Sequence, residues 1–219
     1  MASGTPRVLA ISLHNQPWFA EMYAPLLTAL RSNAEFQQAE NLISAIRLLS
    51  QLPEPSAVLI TDEALTLRES SAVWDAVLEY VRRGGTAIVM GLFPSFVQPN
   101  RVRPFFSRAG LEWGAGSYHR TTLALNRTAV DVANATKLPQ RYSQKALFVK
   151  NVAPENMWYQ TDDNSVVQSM VFAPTSANTP GETAVAMAAV GRGKLGYIGD
   201  VNAEDGSNAV VLAMCGLLQ

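Results

Sequence analysis

Apolar runs and amphipathic stretches alternate along the first half of the chain. Three short apolar runs, typical of strands buried on both faces, predict strands at residues 7–13, 57–61 and 87–90. A weaker pattern predicts a further strand at 36–40. Between them, apolar residues recur at helical spacing over 18–32, on a face of Leu42, Ile46 and Leu49, and on a face of Val73, Val77, Leu78 and Val81. Strands and helices that alternate with short joins favour parallel pairing, and so an α/β fold with a three-layer, doubly wound, mostly parallel sheet.

The second half follows a different pattern. Short strands are predicted at 118–125, 146–149, 157–160 and 165–173, with a helix at 102–109 and a polar, irregular stretch at 130–144. Two further runs, 183–190 and 194–198, flank Gly191-Arg192-Gly193 and predict an added antiparallel hairpin. The apolar run 207–218 predicts a buried closing helix. Because no repeat or linker divides the chain, we expect a single domain over residues 1–219.

Composition excludes several classes of partner. With 48% hydrophobic and 16% charged residues and a formal net charge of −1, the chain gives no electrostatic reason to expect nucleic acid or an anionic membrane as partner. The N-terminus is too polar for a secretory signal, and no apolar run approaches the roughly 20 residues of a membrane helix. The single cysteine, Cys215, cannot form an internal disulfide. We therefore predict a cytoplasmic protein.

Three stretches together suggest a family. They are the helix-to-strand join at 77–89, the strand at 57–62 that runs into Asp62, and the closing hairpin at 191–200. With these stretches in this order, the chain resembles the class I glutamine amidotransferase-like superfamily, which has a flavodoxin-like sheet. Within it, the chain is most similar to the ThuA-like trehalose-utilisation proteins. Ligands of open α/β sheets bind at the carboxyl ends of the parallel strands, so we expect a site there.

The residues that carry glutaminase chemistry in that superfamily are not found at the matching positions. The resemblance implies a nucleophilic cysteine in the turn after residue 90, where this chain has Gly91, Leu92 and Phe93. It also implies a histidine and an acid after a late strand, where this chain has Asp200-Val201-Asn202. Without a thiolate and an imidazole the nucleophile cannot be assembled, so glutaminase activity is excluded. Cys215 is interpreted as a buried hydrophobe in the closing helix.

Six polar residues follow the predicted strands and are the candidate ligand-binding residues: His14, Asp62, Glu63, Ser95, Asp200 and Asn202. His14 could act as a general base or metal ligand, or bond to the backbone. Asp62 and Glu63 could bind a cation or sugar hydroxyls, or cap the next turn. Asp200 and Asn202, close to Glu204 and Asp205, could bind a metal or polyol, or form the N-terminal arrangement of the last helix.

Other residues give weaker indications. With two histidines and no closely spaced His or Cys ligands, neither a metal site nor a cofactor is predicted. Three arginines (Arg101, Arg103 and Arg108) could contact an anion or form a solvated helix face. Trp113, on a Gly-rich stretch, could lie at a pocket mouth or interface, whereas His119 has no partner that the sequence can identify.

Two functions follow. The missing nucleophile and the apolar segment 92–96 favour a non-catalytic domain that binds a small polar or sugar-like ligand, a protein partner or a second copy of itself. The alternative is a ThuA-like hydrolase or isomerase acting on a carbohydrate-like substrate, in which His14, Asp62 and Asp200 share acid/base or metal-holding roles. A pocket that unites those three side chains would favour the enzyme. Filling of that end of the sheet by Phe93, Phe96 and Trp113 would favour the binding domain.

Overall fold

A single sheet of ten strands organises the computed structural model, which describes residues 4–171 and 173–218. Within these residues its strands are β1 (Arg7–Ile11), β2 (Glu35–Ala39), β3 (Ala57–Ile60), β4 (Thr86–Val89), β5 (Gly114–Leu125), β6 (Arg141–Lys150), β7 (Met157–Gln160), β8 (Glu182–Thr183), β9 (Val185–Val190) and β10 (Gly193–Ile198). Their order across the sheet is β2-β1-β3-β4-β10-β9-β7-β5-β6-β8. The chain thus has a mixed α/β fold.

The sheet has a parallel half and an antiparallel half that meet at β10. Strands β2, β1, β3, β4 and β10 are parallel, as the alternation of strands and helices predicts. Every pairing from β10 through β9, β7, β5 and β6 to β8 is antiparallel. The expected parallel pairing is found in the first half of the chain and in β10, and the antiparallel strands expected in the second half make up the rest of the sheet.

The antiparallel half curls back toward β10. The Leu147 N–H donates to the Gly199 carbonyl at 3.0 Å, and the Val201 N–H donates to the Lys145 carbonyl at 3.0 Å. The segment that follows β10 therefore pairs with β6, although β9, β7 and β5 lie between β10 and β6 in the sheet. This pairing brings the carboxyl end of β10 against the middle of β6.

Helices flank the sheet. Within the described residues they are α1 (Phe19–Met22), α2 (Ala24–Asn33), α3 (Leu42–Leu49), α4 (Ser71–Arg82), α5 (Phe93–Phe96), α6 (Pro99–Ser107), α7 (Val132–Lys137) and α8 (Asp205–Met214), with 3-10 helices at Glu63–Thr66, Arg68–Ser70 and Pro154–Asn156. None of these helices is long and apolar enough to cross a membrane.

The two faces of the sheet bury separate hydrophobic cores. Leu9 and Ile11 of β1 belong to a core that also contains residues of α3, α4 and α6. Val8 and Ala10, the alternate residues of the same strand, belong to a second core that contains residues of α2 and α8. Successive side chains of a strand point to opposite faces, so an apolar run such as β1 is covered on both sides.

Several predicted elements differ from the structure. The helix predicted at 18–32 is divided at Tyr23 into α1 and α2, because Pro25 near the start of α2 has no N–H to continue the ladder. The face predicted for α3 is also wrong in part, since Leu42 and Ile46 are 38% and 40% exposed. The stretch 130–144, predicted as irregular, contains α7 and the start of β6.

The strand predicted at 165–173 is not found among its described residues, and its Phe172 lies outside them. Val166 forms only an isolated bridge with Ser176, and Met170 and Val171 are exposed. The apolar residues of this stretch have no strand partner beside them, so pattern alone misassigns it.

Candidate functional site

The turn after β4, where the sequence resemblance implied a nucleophilic cysteine, contains Gly91, Leu92 and Phe93 instead. Gly91 has a φ of 70°, and a Cβ added there would lie 2.8 Å from the Thr61 carbonyl oxygen. The Leu92 N–H donates to that same oxygen at 2.7 Å. Leu92, Phe93 and Pro94 are buried, and Ser95 is exposed on α5. The turn thus packs tightly on the end of β3, and only glycine fits at its first position.

Aromatic packing fills the space behind this turn. Phe93 packs against Phe105, Phe106 and Tyr197, with ring centroids 5.3 to 6.4 Å apart. Trp113 contacts Phe106 and is only 2% exposed, so its expected place at a pocket mouth or interface is wrong. This part of the sheet edge is therefore core.

Phe96 differs from its neighbours. It is 46% exposed, and its ring lies 6.4 Å from that of Trp18, which is 43% exposed. The contact surface expected over 92–96 is thus reduced to Phe96 beside the exposed Ser95. A protein partner or second copy of the chain stays a prediction for this aromatic pair.

At the ends of β1 and β3, Asp62 ties two loops together. Its Oδ2 accepts a hydrogen bond from the His14 N–H at 2.8 Å, and its Oδ1 accepts one from the Ala64 N–H at 3.1 Å. The residue is 2% exposed, and this burial raises the pKa of its carboxyl. Asp62 therefore has the capping role that the sequence left open.

Beside Asp62, His14 and Glu63 form an accessible acid/base pair. The His14 Nδ1 lies 2.9 Å from the Glu63 Oε1, and the two side chains are 44% and 20% exposed. The hydrogen bond to Glu63 raises the pKa of His14. Of the candidates at the ends of β1 and β3, this pair is the one with its titratable groups open to solvent.

At the end of β10, Asp200 organises a tight loop. Its Oδ1 accepts from the Asn202 N–H at 2.8 Å, and its Oδ2 accepts from the Glu204 N–H at 2.7 Å. Between them Ala203 has a φ of 55°, a left-handed conformation that residues with a Cβ rarely adopt. Asp200 is 3% exposed, and burial raises the pKa of its carboxyl. Both of its oxygens thus fix the loop, defined here as the Asp200 loop (residues 200–204).

Arg120 of β5 joins the Asp200 loop to the antiparallel half. Its Nη2 donates to the Glu204 Oε1 at 2.5 Å, and its Nη1 donates to the Ser143 Oγ at 3.2 Å. The exposed Asn202 amide, oriented with its oxygen toward Arg120, accepts from the same Nη2 at 2.7 Å. The loop is therefore held against β5 and β6.

The six candidate residues fall into separate groups. His14, Asp62 and Glu63 are connected by hydrogen bonds, and Asp200 and Asn202 belong to the Asp200 loop. Over the described chain, no hydrogen bond joins the first group to the second, and the Ser95 side chain bonds to neither. The three-residue acid/base arrangement expected for an enzyme is not formed by direct contact.

An open groove of about 580 Å³ adjoins the Asp200 loop through Arg120. It is lined by Tyr118, His119, Arg120, Lys145, Val166, Val167, Gln168, Ser169, Met170 and Pro174. We call it the β5–β6 groove. These described lining residues include three basic side chains and no acidic one, so the groove favours an anionic ligand.

The charge of the groove comes chiefly from Lys145. Arg120 is paired with Glu204, and burial lowers the pKa of His119, which favours its neutral form. Lys145 has no carboxylate within ion-pair distance among the described residues, and its Nζ lies 5.5 Å from the centre of the Tyr118 ring. Lys145 is thus the cation left for a ligand.

His119 is a further polar residue in the lining of this groove. Its ring stacks on Phe148 with centroids 4.7 Å apart, and its buried Nε2 has no hydrogen-bond partner within the described chain. The sequence could not place His119, and it also missed Tyr118, Arg120 and Lys145. No short motif marks them, since Arg120 and Glu204 are 84 positions apart in the chain.

The described residues include no cluster of three or more His, Cys, Asp or Glu side chains that could hold a metal ion.

Solved structures resemble the chain over its whole length. A protein from Bacteroides uniformis described as ThuA-like aligns with a TM-score of 0.61 and 9% identity, over 100% of this chain and 94% of its own. A second, from Parabacteroides merdae, aligns with a TM-score of 0.51 and 11% identity, over 98% and 89%. The chain has the fold of the ThuA-like proteins. At these identities the likeness is one of fold.

The same fold is found as part of a larger enzyme. A β-galactosidase from Bacillus circulans sp. alkalophilus aligns with a TM-score of 0.58 and 12% identity, over 96% of this chain and 30% of its own. The chain thus spans about a third of that enzyme. No sequence-family model matches the chain, and comparison with curated proteins finds no match.

Proposed function

We propose that the chain is a non-catalytic ThuA-like domain that binds a small sugar-like anion, such as a sugar acid, in the β5–β6 groove. The observation that carries the proposal is Lys145, a cation without a carboxylate partner in a groove whose described lining has no acid. A carboxylate on the ligand would pair with the Lys145 ammonium.

The non-catalytic part rests on the residues at the superfamily's catalytic positions. The turn after β4 presents Gly91 and buried apolar side chains in place of a nucleophile. Cys215 is buried, and burial raises the pKa of its thiol to about 12, so it stays protonated near neutral pH. Asp62 and Asp200 each accept two backbone hydrogen bonds, which gives both carboxylates a structural role.

The remaining groove residues suit a hydroxylated ligand. The Tyr118 side chain is 54% exposed and offers an aromatic face of the kind on which sugar rings pack. The unpartnered Nε2 of His119 can exchange a hydrogen bond with a hydroxyl. Arg120, fixed by Glu204, keeps this side of the groove in place.

Calorimetric titration with glucuronate and glucose tests the proposal. We expect glucuronate to bind more tightly than glucose, and Lys145→Ala to weaken glucuronate binding about tenfold or more, since a hydrogen bond to a charged group contributes roughly 1.5–3 kcal/mol. Lys150→Ala is the matched control, because Lys150 is exposed at the end of the same strand and is outside the groove lining. Because the proposed domain is non-catalytic, glucuronate recovered after incubation with the protein should be chemically unchanged.

Two outcomes contradict this function. Equal binding of glucose and glucuronate would show that Lys145 plays no part in recognition. An equal loss of affinity in Lys150→Ala would assign the effect to overall charge rather than to the groove.

The enzymatic alternative is favoured by one observation, the accessible His14–Glu63 pair. A histidine whose pKa is raised by a carboxylate can donate a proton near neutral pH. We would assay release of nitrophenol from a panel of nitrophenyl glycosides. Turnover by the wild type that is lost in His14→Gln would establish an enzyme and overturn the non-catalytic proposal. The binding proposal predicts no turnover of any glycoside in the panel.

A further inference from the structure

A second cavity, of about 240 Å³, opens between α4, α6 and the 3-10 helices that follow Asp62. It is lined by Leu65, Thr66, Leu67, Arg68, Ser71, Trp74, Arg101, Pro104, Phe105 and Arg108. We call it the arginine pocket. It shares no lining residue with the β5–β6 groove, so its role is independent of the function proposed above.

Three guanidinium groups surround this pocket, and its described lining contains no carboxylate. Arg108 is partly neutralised by an ion pair with Asp75, and the Arg101 Nε donates to the Gln98 Oε1 at 3.0 Å. Arg68 has no carboxylate within ion-pair distance among the described residues. A guanidinium fork matches the oxygens of a phosphate group, which it can bind with two parallel hydrogen bonds.

Two residues that line the pocket each carry a buried polar atom with no partner in the described part of the chain. These atoms are the Trp74 Nε1 and the Thr66 Oγ1. Trp74 is fully buried, and an indole N–H is a donor only, so just an acceptor can satisfy it. Buried polar groups in native proteins are almost always hydrogen-bonded, and an acceptor entering this pocket would meet that requirement.

The start of α4 adds to the positive character of the pocket. Ser71, its first residue, lines the cavity, and the preceding Ser70 makes no side-chain cap. The N-terminal end of a helix carries partial positive charge and favours anions. Together with the arginines and the unpartnered indole, this end identifies the ligand as an anion with several acceptor oxygens.

The walls of the pocket define the rest of the ligand. Leu65, Leu67 and Pro104 are apolar, and Trp74 stacks on Phe105 with ring centroids 4.1 Å apart. The volume is below the roughly 300–1,000 Å³ usual for drug-sized ligands, so the ligand is small. We propose that the arginine pocket binds the phosphate group of a small phosphomonoester, with the ester carbon atoms against the apolar wall.

The test is a titration of the ¹⁵N-labelled protein, followed by the indole N–H resonance that Trp74→Phe removes. The probes are phenyl phosphate, inorganic phosphate and phenol. We expect phenyl phosphate to shift the Trp74 resonance saturably, to bind more tightly than inorganic phosphate, and to outcompete phenol. Arg68→Ala and Arg101→Ala should each weaken phenyl phosphate about tenfold, as expected for loss of a charge-assisted contact.

Arg103→Ala is the matched control. Arg103 lies on α6 as Arg101 does, pairs with Glu112 outside the pocket, and should leave the affinity unchanged. Equal affinity for inorganic phosphate and phenyl phosphate would overturn the proposal that the ligand is a phosphomonoester, and would assign the site to free phosphate. Three results would overturn an anion site. They are a Trp74 resonance shift as large with phenol as with phenyl phosphate, a loss of affinity in Arg103→Ala equal to that in Arg101→Ala, and a Trp74 resonance that neither phosphate shifts.

Discussion

The Tyr197 hydroxyl donates a hydrogen bond to the Leu147 carbonyl at 2.8 Å, although β10 and β6, which carry these residues, are separated by three strands in the sheet. The Leu147 N–H donates in turn to the Gly199 carbonyl at 3.0 Å. The antiparallel half of the sheet is thus bent so far that β6 contacts the end of β10. The close backbone contact explains the glycine at position 199.

Gly199→Ala should destabilise the protein strongly. A Cβ at this position would lie 2.0 Å from the Leu147 carbonyl oxygen, a backbone atom that cannot move without opening β6. We expect a loss of about 3 kcal/mol in the free energy of unfolding, at the upper end of overpacking effects. Urea unfolding measures it. Gly4→Ala, where nothing lies within 4 Å, is the control, and equal stability of the two variants would contradict the contact.

Asp62→Ala should cost about 2 kcal/mol of unfolding free energy, because the N–H groups of His14 and Ala64 both lose their acceptor. Asp62→Asn should cost less, since its amide oxygen can still cap the 3-10 helix at Ala64. Thermal or urea unfolding of the two variants checks the order. An alanine variant as stable as the asparagine variant would show that these hydrogen bonds do not hold the loops.

The two histidines should respond oppositely to pH. Hydrogen bonding to Glu63 raises the pKa of His14, so its contribution to stability is present below the ordinary value of about 6.5 and is lost as the pH rises through the raised value. His14→Gln should therefore reduce stability at about pH 5.5 more than at about pH 8.5. The effect is modest because the side chain is 44% exposed.

His119 should show the opposite pH dependence of stability to His14. Burial lowers its pKa, so the unfolded chain takes up the proton first as the pH falls below about 6.5, and stability is lost there. His119→Gln should remove that loss and make the variant relatively more stable toward low pH. Unfolding curves recorded across this pH range measure both variants, and parallel profiles would contradict the two assigned environments.

The Asp200 loop contains two carboxylates with different roles, the buried Asp200 and the partly exposed Glu204. Asp200→Ala should lower the free energy of unfolding by about 2 kcal/mol, since the N–H groups of Asn202 and Glu204 lose their acceptor. Glu204→Gln should cost less than about 1 kcal/mol, because its pair with Arg120 is partly exposed. Chemical unfolding tests the contrast, and a larger loss in Glu204→Gln would refute it.

The sequence predicted those elements whose local pattern matches their burial. The run 57–61 nearly coincides with β3, and 157–160 is β7 to the residue. It could not reveal that Arg7, at the start of β1, is 4% exposed, with its Nη1 and Nη2 donating to the carbonyls of Leu48 and Gln51. That arrangement depends on the end of α3 and the loop that follows it, more than 40 positions away in the chain.

The pattern of the sequence also accounts for one group of polar residues. Polar residues placed after parallel strands meet at one edge of the sheet, and His14, Asp62 and Glu63 are joined there by hydrogen bonds. Their part in a ligand site stays a prediction. The β5–β6 groove is formed by antiparallel strands whose pairing was not foreseen, since β6 begins inside a stretch that lacks an apolar pattern. Lys145 therefore gave no signal in the sequence.

Strand β10 is central in the sheet and is the last of its described strands in the chain. It pairs with β4 on one side and with β9 on the other, and so joins the two halves. During synthesis, the edge of β4 that pairs with β10 has no strand partner until more than 100 further residues have been added. Until β10 is made, that apolar edge of β4 stays unpaired, so the sheet cannot be completed before residue 193 has been synthesised.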